Sequence, residues 1–126
     1  MTQEEKDLLL KDLCARLPYG VKIQVPYEDG SGYFDETVWE VNNEGPFYVN
    51  GWGIEYEYVK PYLFPLSSMT EEQKKEYQYI TERWMNDPVY SISDSIDWLN
   101  KNHFDYRGLI EKGLALEAPE EMYKTE

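Results

Sequence analysis

The stretch Lys60-Pro61-Tyr62-Leu63-Phe64-Pro65-Leu66-Ser67-Ser68-Met69-Thr70-Glu71-Glu72-Gln73 separates two kinds of pattern in this chain. Before it, apart from a short first helix, apolar residues recur at every second position. After it they recur at helical spacing. Pro61 and Pro65 remove two backbone donors, so a strand through them pairs fully on one side only and is expected at an edge or a bend. Tyr62, Leu63, Phe64 and Leu66 are too apolar for a free linker and are expected to bury against both halves of the molecule. Ser67 and Ser68 supply turn chemistry. Thr70 with Gln73 forms a capping box that opens a helix, and Glu71 and Glu72 favour its positive N-terminus.

Working outward toward the N-terminus, Thr2 with Glu5 forms a second capping box. Leu9, Leu10, Leu13, Cys14 and Leu17 then recur at three- and four-residue spacing and make one apolar stripe. Pro18 and Gly20 end that helix. Cys14 lies in the stripe, near the helix C-terminus, and is expected to be a small buried hydrophobe rather than a nucleophile. Val21, Ile23 and Val25 alternate with Lys22 and Gln24, the signature of a half-buried strand. Asp29-Gly30-Ser31-Gly32 is a turn. Thr37, Trp39 and Val41 share one face of the next strand, opposite Val38 and Glu40. Asn42-Asn43-Glu44-Gly45 turns again, Phe47-Tyr48-Val49 forms a short strand, and Asn50-Gly51 is a two-residue hairpin signal. Ile54, Tyr56 and Tyr58 alternate with Glu55 and Glu57, which predicts another strand.

Toward the C-terminus, Tyr77, Ile80, Thr81 and Trp84 mark a helix face that Asp87-Pro88 is expected to stop. Ser91 or Ser93 caps a shorter helix, with Ile96, Trp98 and Leu99 on its buried side and fraying at Asn102-His103. Gly108 and Gly113 break the remainder, which Leu109, Ile110, Leu114 and Leu116 pack onto the body. The expected fold class is α+β: an N-terminal helix, a small bent antiparallel sheet or SH3-like barrel of four to five strands, then two C-terminal helices and a loop-rich tail. The expected plan is a single domain over residues 1–126, with a helix over 1–18, a β-part over 19–66, a helical part over 67–118 and a loose acidic tail over 119–126.

Charge and composition narrow the function classes. The 126 residues hold 12 Lys and Arg against 25 Asp and Glu, a net charge of -13. That balance repels phosphate backbones and anionic lipid, so no direct nucleic-acid or membrane binding is expected, and it suits a basic protein partner. No apolar run has the length of a membrane span, and the polar acidic start lacks a secretory leader's pattern, so a cytoplasmic location is expected. A single cysteine permits no intrachain disulfide. With one His and one Cys, a conventional zinc set cannot form within one chain. The Asp29 loop fails as a calcium-binding EF-hand, because Tyr33 and Phe34 stand where an oxygen ligand and a glycine are required. There is no glycine-rich phosphate loop and no nucleophile elbow. No catalytic set, metal site or cofactor is therefore expected.

Two groups remain as candidate binding residues. Trp39, Tyr48, Trp52, Tyr56 and Tyr58 come from adjacent hairpins and would form a patch for a peptide or sugar if the apolar face of the sheet were left partly uncovered. The other group follows Asp94 and contains the only histidine. In it His103 could pair with Asp97 or Asp105 as an acid–base couple, although Asp97 and His103 fall on different faces of a continuing helix. Asp105 and Arg107 could form an ion pair that fixes a turn.

Three blocks carry a resemblance: Asp12-Leu13-Cys14-Ala15-Arg16-Leu17-Pro18-Tyr19-Gly20-Val21, the segment from Val59 to Gln73, and Asp97-Trp98-Leu99-Asn100-Lys101-Asn102-His103-Phe104-Asp105-Tyr106-Arg107-Gly108-Leu109-Ile110. Together they resemble a family of small uncharacterised proteins of gut Bacteroidetes and their phages. The resemblance implies a bacterial cytoplasmic or prophage-linked setting and brings no activity, cofactor or catalytic residue with it. The leading expectation is a non-enzymatic acidic protein-interaction module. A sharper form of it is an inhibitor or nucleic-acid mimic with its carboxylates on one surface. The alternatives are a small-molecule or sugar-binding module built on the hairpin aromatics, and a small enzyme using His103 with a nearby Asp.

Overall fold

A computed structural model describes residues 1–42, 45–48, 55–83 and 87–124, with the backbone alone at 39, 42 and 45–48. The chain is α+β. Helix α1 (Gln3–Arg16) opens on the Thr2–Glu5 capping box. Strands β1 (Lys22–Pro26), β2 (Tyr33–Asn42) and β3 (Gly45–Tyr48) follow, then β4 (Lys60–Pro65), helices α2 (Glu71–Arg83) and α3 (Pro88–Lys101), and two short strands, β5 (Phe104–Asp105) and β6 (Leu116–Glu117).

The sheet runs β3-β2-β1-β4-β5, with β6 also on β4. Pairings among β1 to β4 are antiparallel, but β5 and β6 lie parallel to β4, so the sheet is mixed rather than antiparallel. A two-residue strand carries almost no periodic signal, which is why both were expected to be loop. Strand β4 stands inside this order, not at an edge. Each neighbour takes only a short piece of it: β1 pairs at Lys60 and Pro61, β6 at Tyr62 and Leu63, β5 at Phe64 and Pro65. Divided in this way, the two missing proline donors are tolerated in an interior strand.

Strand alternation on β4 then builds two cores. Leu63 joins Leu9 and Leu13 of α1, Val21 just ahead of β1, Ile23 and Val25 of β1, Val38, and Leu109 and Leu114 from the C-terminal part. Phe64 packs with Trp98, Leu99, Phe104, Met69, Tyr77 and Ile80 under the α2–α3 pair. Tyr62, Leu63 and Phe64 thus bury against both halves, whereas Leu66, expected inside with them, is exposed. Helix α1 covers the apolar face of the sheet.

Several local expectations change. Cys14 is exposed. It lies about 100° beyond Leu13 on the helix, outside the buried arc of Leu9, Asp12, Leu13 and Arg16. Residues Tyr56–Tyr58 form a 3-10 turn, not a strand. The β1–β2 hairpin forms at Asp29, whose side chain accepts from Ser31 N–H at 2.9 Å. On β2 the residue that reaches the core is Val38, while Val41 is half-buried, and the register shifts between Val38 and Glu40. Asp87-Pro88 starts α3, which was expected to be capped by Ser91 or Ser93: the Asp87 carboxylate accepts from Tyr90 N–H and Pro88 takes the first helical position. Ile96, expected inside, is exposed with Val89 and Ile92. Val49, Trp52, Ile54, Trp84 and the Asn50-Gly51 signal lie outside the described residues, as do residues 43–44 of the preceding turn.

Candidate functional site

The histidine site is set by the way α3 ends. Asn102 N–H donates to Trp98 and Asn100 carbonyls, and its side-chain amide donates to Trp98 O at 2.9 Å. His103 then adopts φ 60, the only described non-glycine residue with positive φ. A glycine is the usual choice at this step, because a Cβ crowds the left-handed conformation. The turn lets the His103 carbonyl accept from Phe64 N–H at 2.8 Å and sets β5 alongside β4. The imidazole is carried inward and is only 3% exposed. Burial, then the Arg16 charge, lower its pKa from 6.5 to about 4; Lys22 acts in the same direction and a hydrogen bond with the Tyr19 backbone opposes them. It is neutral at pH 7, and its Nδ1 has no hydrogen-bond partner among the described residues.

Tyr123 closes over this imidazole. The two rings stack at 3.7 Å, and Tyr123 meets Phe64 edge-on at 5.9 Å. Its hydroxyl accepts from Lys22 N–H at 2.8 Å and donates to Tyr62 O at 2.8 Å. Lys22 Nζ donates to Met122 O at 3.1 Å. The β1–β4 register pairs Ile23 with Pro61 and Gln24 with Lys60, so Lys22 and Tyr62 would be the next rung. The phenol takes the place of that rung. Residues 119–124, expected to be a loose tail, are therefore docked through Tyr123. Burial pushes the Tyr123 phenol well above its ordinary pKa, so it remains a hydrogen-bond donor. Around this stack is a cleft of about 1010 Å³, bounded by β1, β4, the start of α2, the α3–β5 corner and residues 117–124.

The other expected partners of His103 are engaged elsewhere. Asp105 is buried, and its two oxygens accept from Leu109 and Ile110 N–H, both at 3.0 Å. Arg107 does not pair with Asp105; it reaches Asp12 Oδ1 at 2.8 Å. Asp12 also holds Arg16 Nε at 2.9 Å, and Arg16 Nη2 donates to the Phe104 carbonyl. Asp12 and Arg16 are fully buried. This network, missed in the sequence because α1 was read for apolar residues only, ties the first helix to the β5 turn. Its signal was an Asp and an Arg four apart, on the same side of the helix as Leu9 and Leu13. Asp97 is exposed on α3. The structure thus gives His103 a cleft and a lowered pKa, but neither Asp97 nor Asp105 as a proton partner. Among the described residues no three His, Cys, Asp or Glu side chains gather as metal ligands would.

The hairpin aromatics do not form the expected platform within the described residues. Tyr56 is 1% exposed and belongs to the main core. Tyr58 is exposed. The side chains of Trp39 and Tyr48, and all of Trp52, lie outside the described residues. What the β-part does display is charge. Between Lys22 and Lys60 the sequence has eight carboxylates (Glu28, Asp29, Asp35, Glu36, Glu40, Glu44, Glu55 and Glu57) and no Lys, Arg or His. Glu28, Asp29, Asp35, Glu40, Glu55 and Glu57 are exposed. Exposed Tyr27, Tyr33 and Tyr58 lie in the same span. Asp35 accepts from Tyr62 hydroxyl at 2.6 Å, and the charges of Glu57 and Glu55 raise the Tyr58 phenol pKa. This cation-free span was legible in the sequence and was obscured by summing charge over the whole chain. No described helix is long and apolar enough to cross a membrane. No protein-family model matches the chain, and neither a curated protein nor a solved structure matches it.

Proposed function

We propose that this chain is a non-enzymatic acidic protein-interaction module, in the bacterial or prophage-linked setting its sequence resemblance implies, and that its partner is a basic protein. The observation that carries the reading is the span between Lys22 and Lys60, with eight carboxylates, no cation, and exposed Tyr27, Tyr33 and Tyr58. Carboxylates of one sign, uninterrupted by lysine, create a field that steers a cationic surface into contact. Tyrosines then supply rigid, amphipathic contact area at low entropic cost. A proton-transfer role at His103 has less support, since both candidate carboxylates are used or placed elsewhere.

The test is capture of the partner from host lysate by tagged protein at low and moderate salt. The variant Glu55→Lys/Glu57→Lys is compared with Glu71→Lys/Glu72→Lys on α2, which lies outside the acidic span. The expected result is one basic protein held by the wild type and by the α2 variant, lost from the β-part variant, and weakened about tenfold or more at moderate salt. Capture that ignores the Glu55/Glu57 reversal, or an empty lane at both salts, would overturn the proposal.

A further inference from the structure

The cleft around His103 has a different electrostatic character from the rest of the molecule. The chain has more than twice as many Asp and Glu as Lys and Arg, yet the cleft is lined by Lys22, Lys101 and Lys124 against Glu117 and Glu120. Lys124 pairs with Glu120 at 3.6 Å. That leaves Lys22 and Lys101, neither of which pairs with a carboxylate among the described residues. An acidic protein that concentrates lysines, two of them without a carboxylate partner among the described residues, in a cleft of about 1010 Å³ has the charge for a ligand opposite in sign to its outer partner.

The apolar part of the lining is aromatic. Phe64, Phe104 and Tyr123 border the cleft, and His103 stacks on Tyr123 at 3.7 Å. Two departures from ordinary structure fall on the same residue. His103 is a non-glycine residue at φ 60, and its buried Nδ1 has no partner among the described residues. Left-handed backbone at a β-carbon residue and an unpartnered buried polar atom each cost stability, and ligand sites are where such features concentrate. A purely structural corner would be served more cheaply by Gly or Asn.

We infer that this cleft binds a small organic anion, a flat ring bearing a carboxylate or phosphate, with the anionic group toward Lys22 and Lys101 and the ring against Phe64 and the His103–Tyr123 stack. Because the docked residues 117–124 form part of the lining, the bound anion also holds that segment in place.

The chain has one histidine, so its ring resonances report the site without ambiguity. Benzoate and phenyl phosphate are titrated into the full-length protein while these resonances are followed by NMR, with p-cresol as the uncharged ring. Saturable shifts are expected with one or both anions and none with p-cresol; which anion binds identifies the head group. Lys101→Glu, at an exposed position, is expected to weaken binding about tenfold without moving the unfolding midpoint. Lys22→Gln is expected to weaken it as well. No shift with either anion, equal shifts with p-cresol, or unchanged affinity in both lysine variants would overturn the inference.

Discussion

At the scale of single residues, His103 and Tyr123 depend on each other. The imidazole is held neutral because it is buried beside the cations Arg16 and Lys22, with the Tyr123 ring against its face. Its pKa is about 4 in the folded chain against 6.5 for an unperturbed imidazole. Below pH 6.5 the unfolded chain therefore takes up a proton that the folded chain refuses. Stability from this residue is full above pH 6.5 and is lost as pH falls toward 4, by about 3 kcal/mol in total. Asn also tolerates the left-handed backbone and does not titrate, so His103→Asn is the control. Urea unfolding followed from pH 7 to 4 should show the wild type losing more stability than the variant; parallel curves would refute the assignment. Tyr123→Phe keeps the stacked ring and removes the hydroxyl that completes the β1–β4 rung. Leaving Lys22 N–H and Tyr62 O without that partner should cost about 2 kcal/mol in urea unfolding. A loss under about 0.5 kcal/mol would mean that the rung is dispensable.

At the scale of elements, α1 carries the most consequential pair. Its inward face is half aliphatic and half ionic: Leu9 and Leu13 beside Asp12 and Arg16, all fully buried. Asp12 bridges Arg16 of its own helix and Arg107 of the C-terminal part. Such a group adds little net stability over a well-packed apolar one, but removing one member strands a buried charge. Asp12→Asn should therefore destabilise the fold by about 3–5 kcal/mol, read from the shift in the urea midpoint. A change within about 0.5 kcal/mol would show that the ionic face of α1 is passive. The helix starts at Thr2 and Thr70 were legible because a capping box is complete within four residues. The cap of α3 was expected at Ser91 or Ser93 and lies at Asp87 for a local reason: a proline that cannot continue one helix suits the first turn of the next. Cys14 and Ile96 fit an apolar repeat yet face solvent, because spacing defines a face of a helix and not what covers it.

At the scale of the whole molecule, charge is divided. The span from Lys22 to Lys60 presents carboxylates and tyrosines without a cation, while the cleft near the C-terminus collects lysines. If the outer surface recruits a basic protein, salt should weaken that binding and Glu55/Glu57 reversal should abolish it, with the His103 cleft unaffected. If the cleft takes an organic anion, Lys101→Glu should weaken that binding and leave the protein partner in place. The two sites are thus separable by charge reversal, because Glu55 and Glu57 are not among the residues that line the cleft.

The sequence by itself determined the α+β class, the starts of α1 and α2, the β1–β2 hairpin and the burial of Tyr62 to Phe64 in the seam. Each rests on periodicity or side-chain chemistry that operates within a few residues along the chain. It also contained the acidic span, which needs only counting. Tertiary structure alone decided the rest. Arg16 meets Phe104 across 88 positions, Arg107 meets Asp12 across 95, and Tyr123 meets Lys22 across 101. No local pattern encodes such partners: a tyrosine in an acidic tail looks like any other, and the two-residue strands exist only because β4 runs on past its pairing with β1 and has Tyr62 to Pro65 left to pair. Chain closure brought these groups together, and so the cleft, the neutral histidine and the docked C-terminal segment became visible only in the fold.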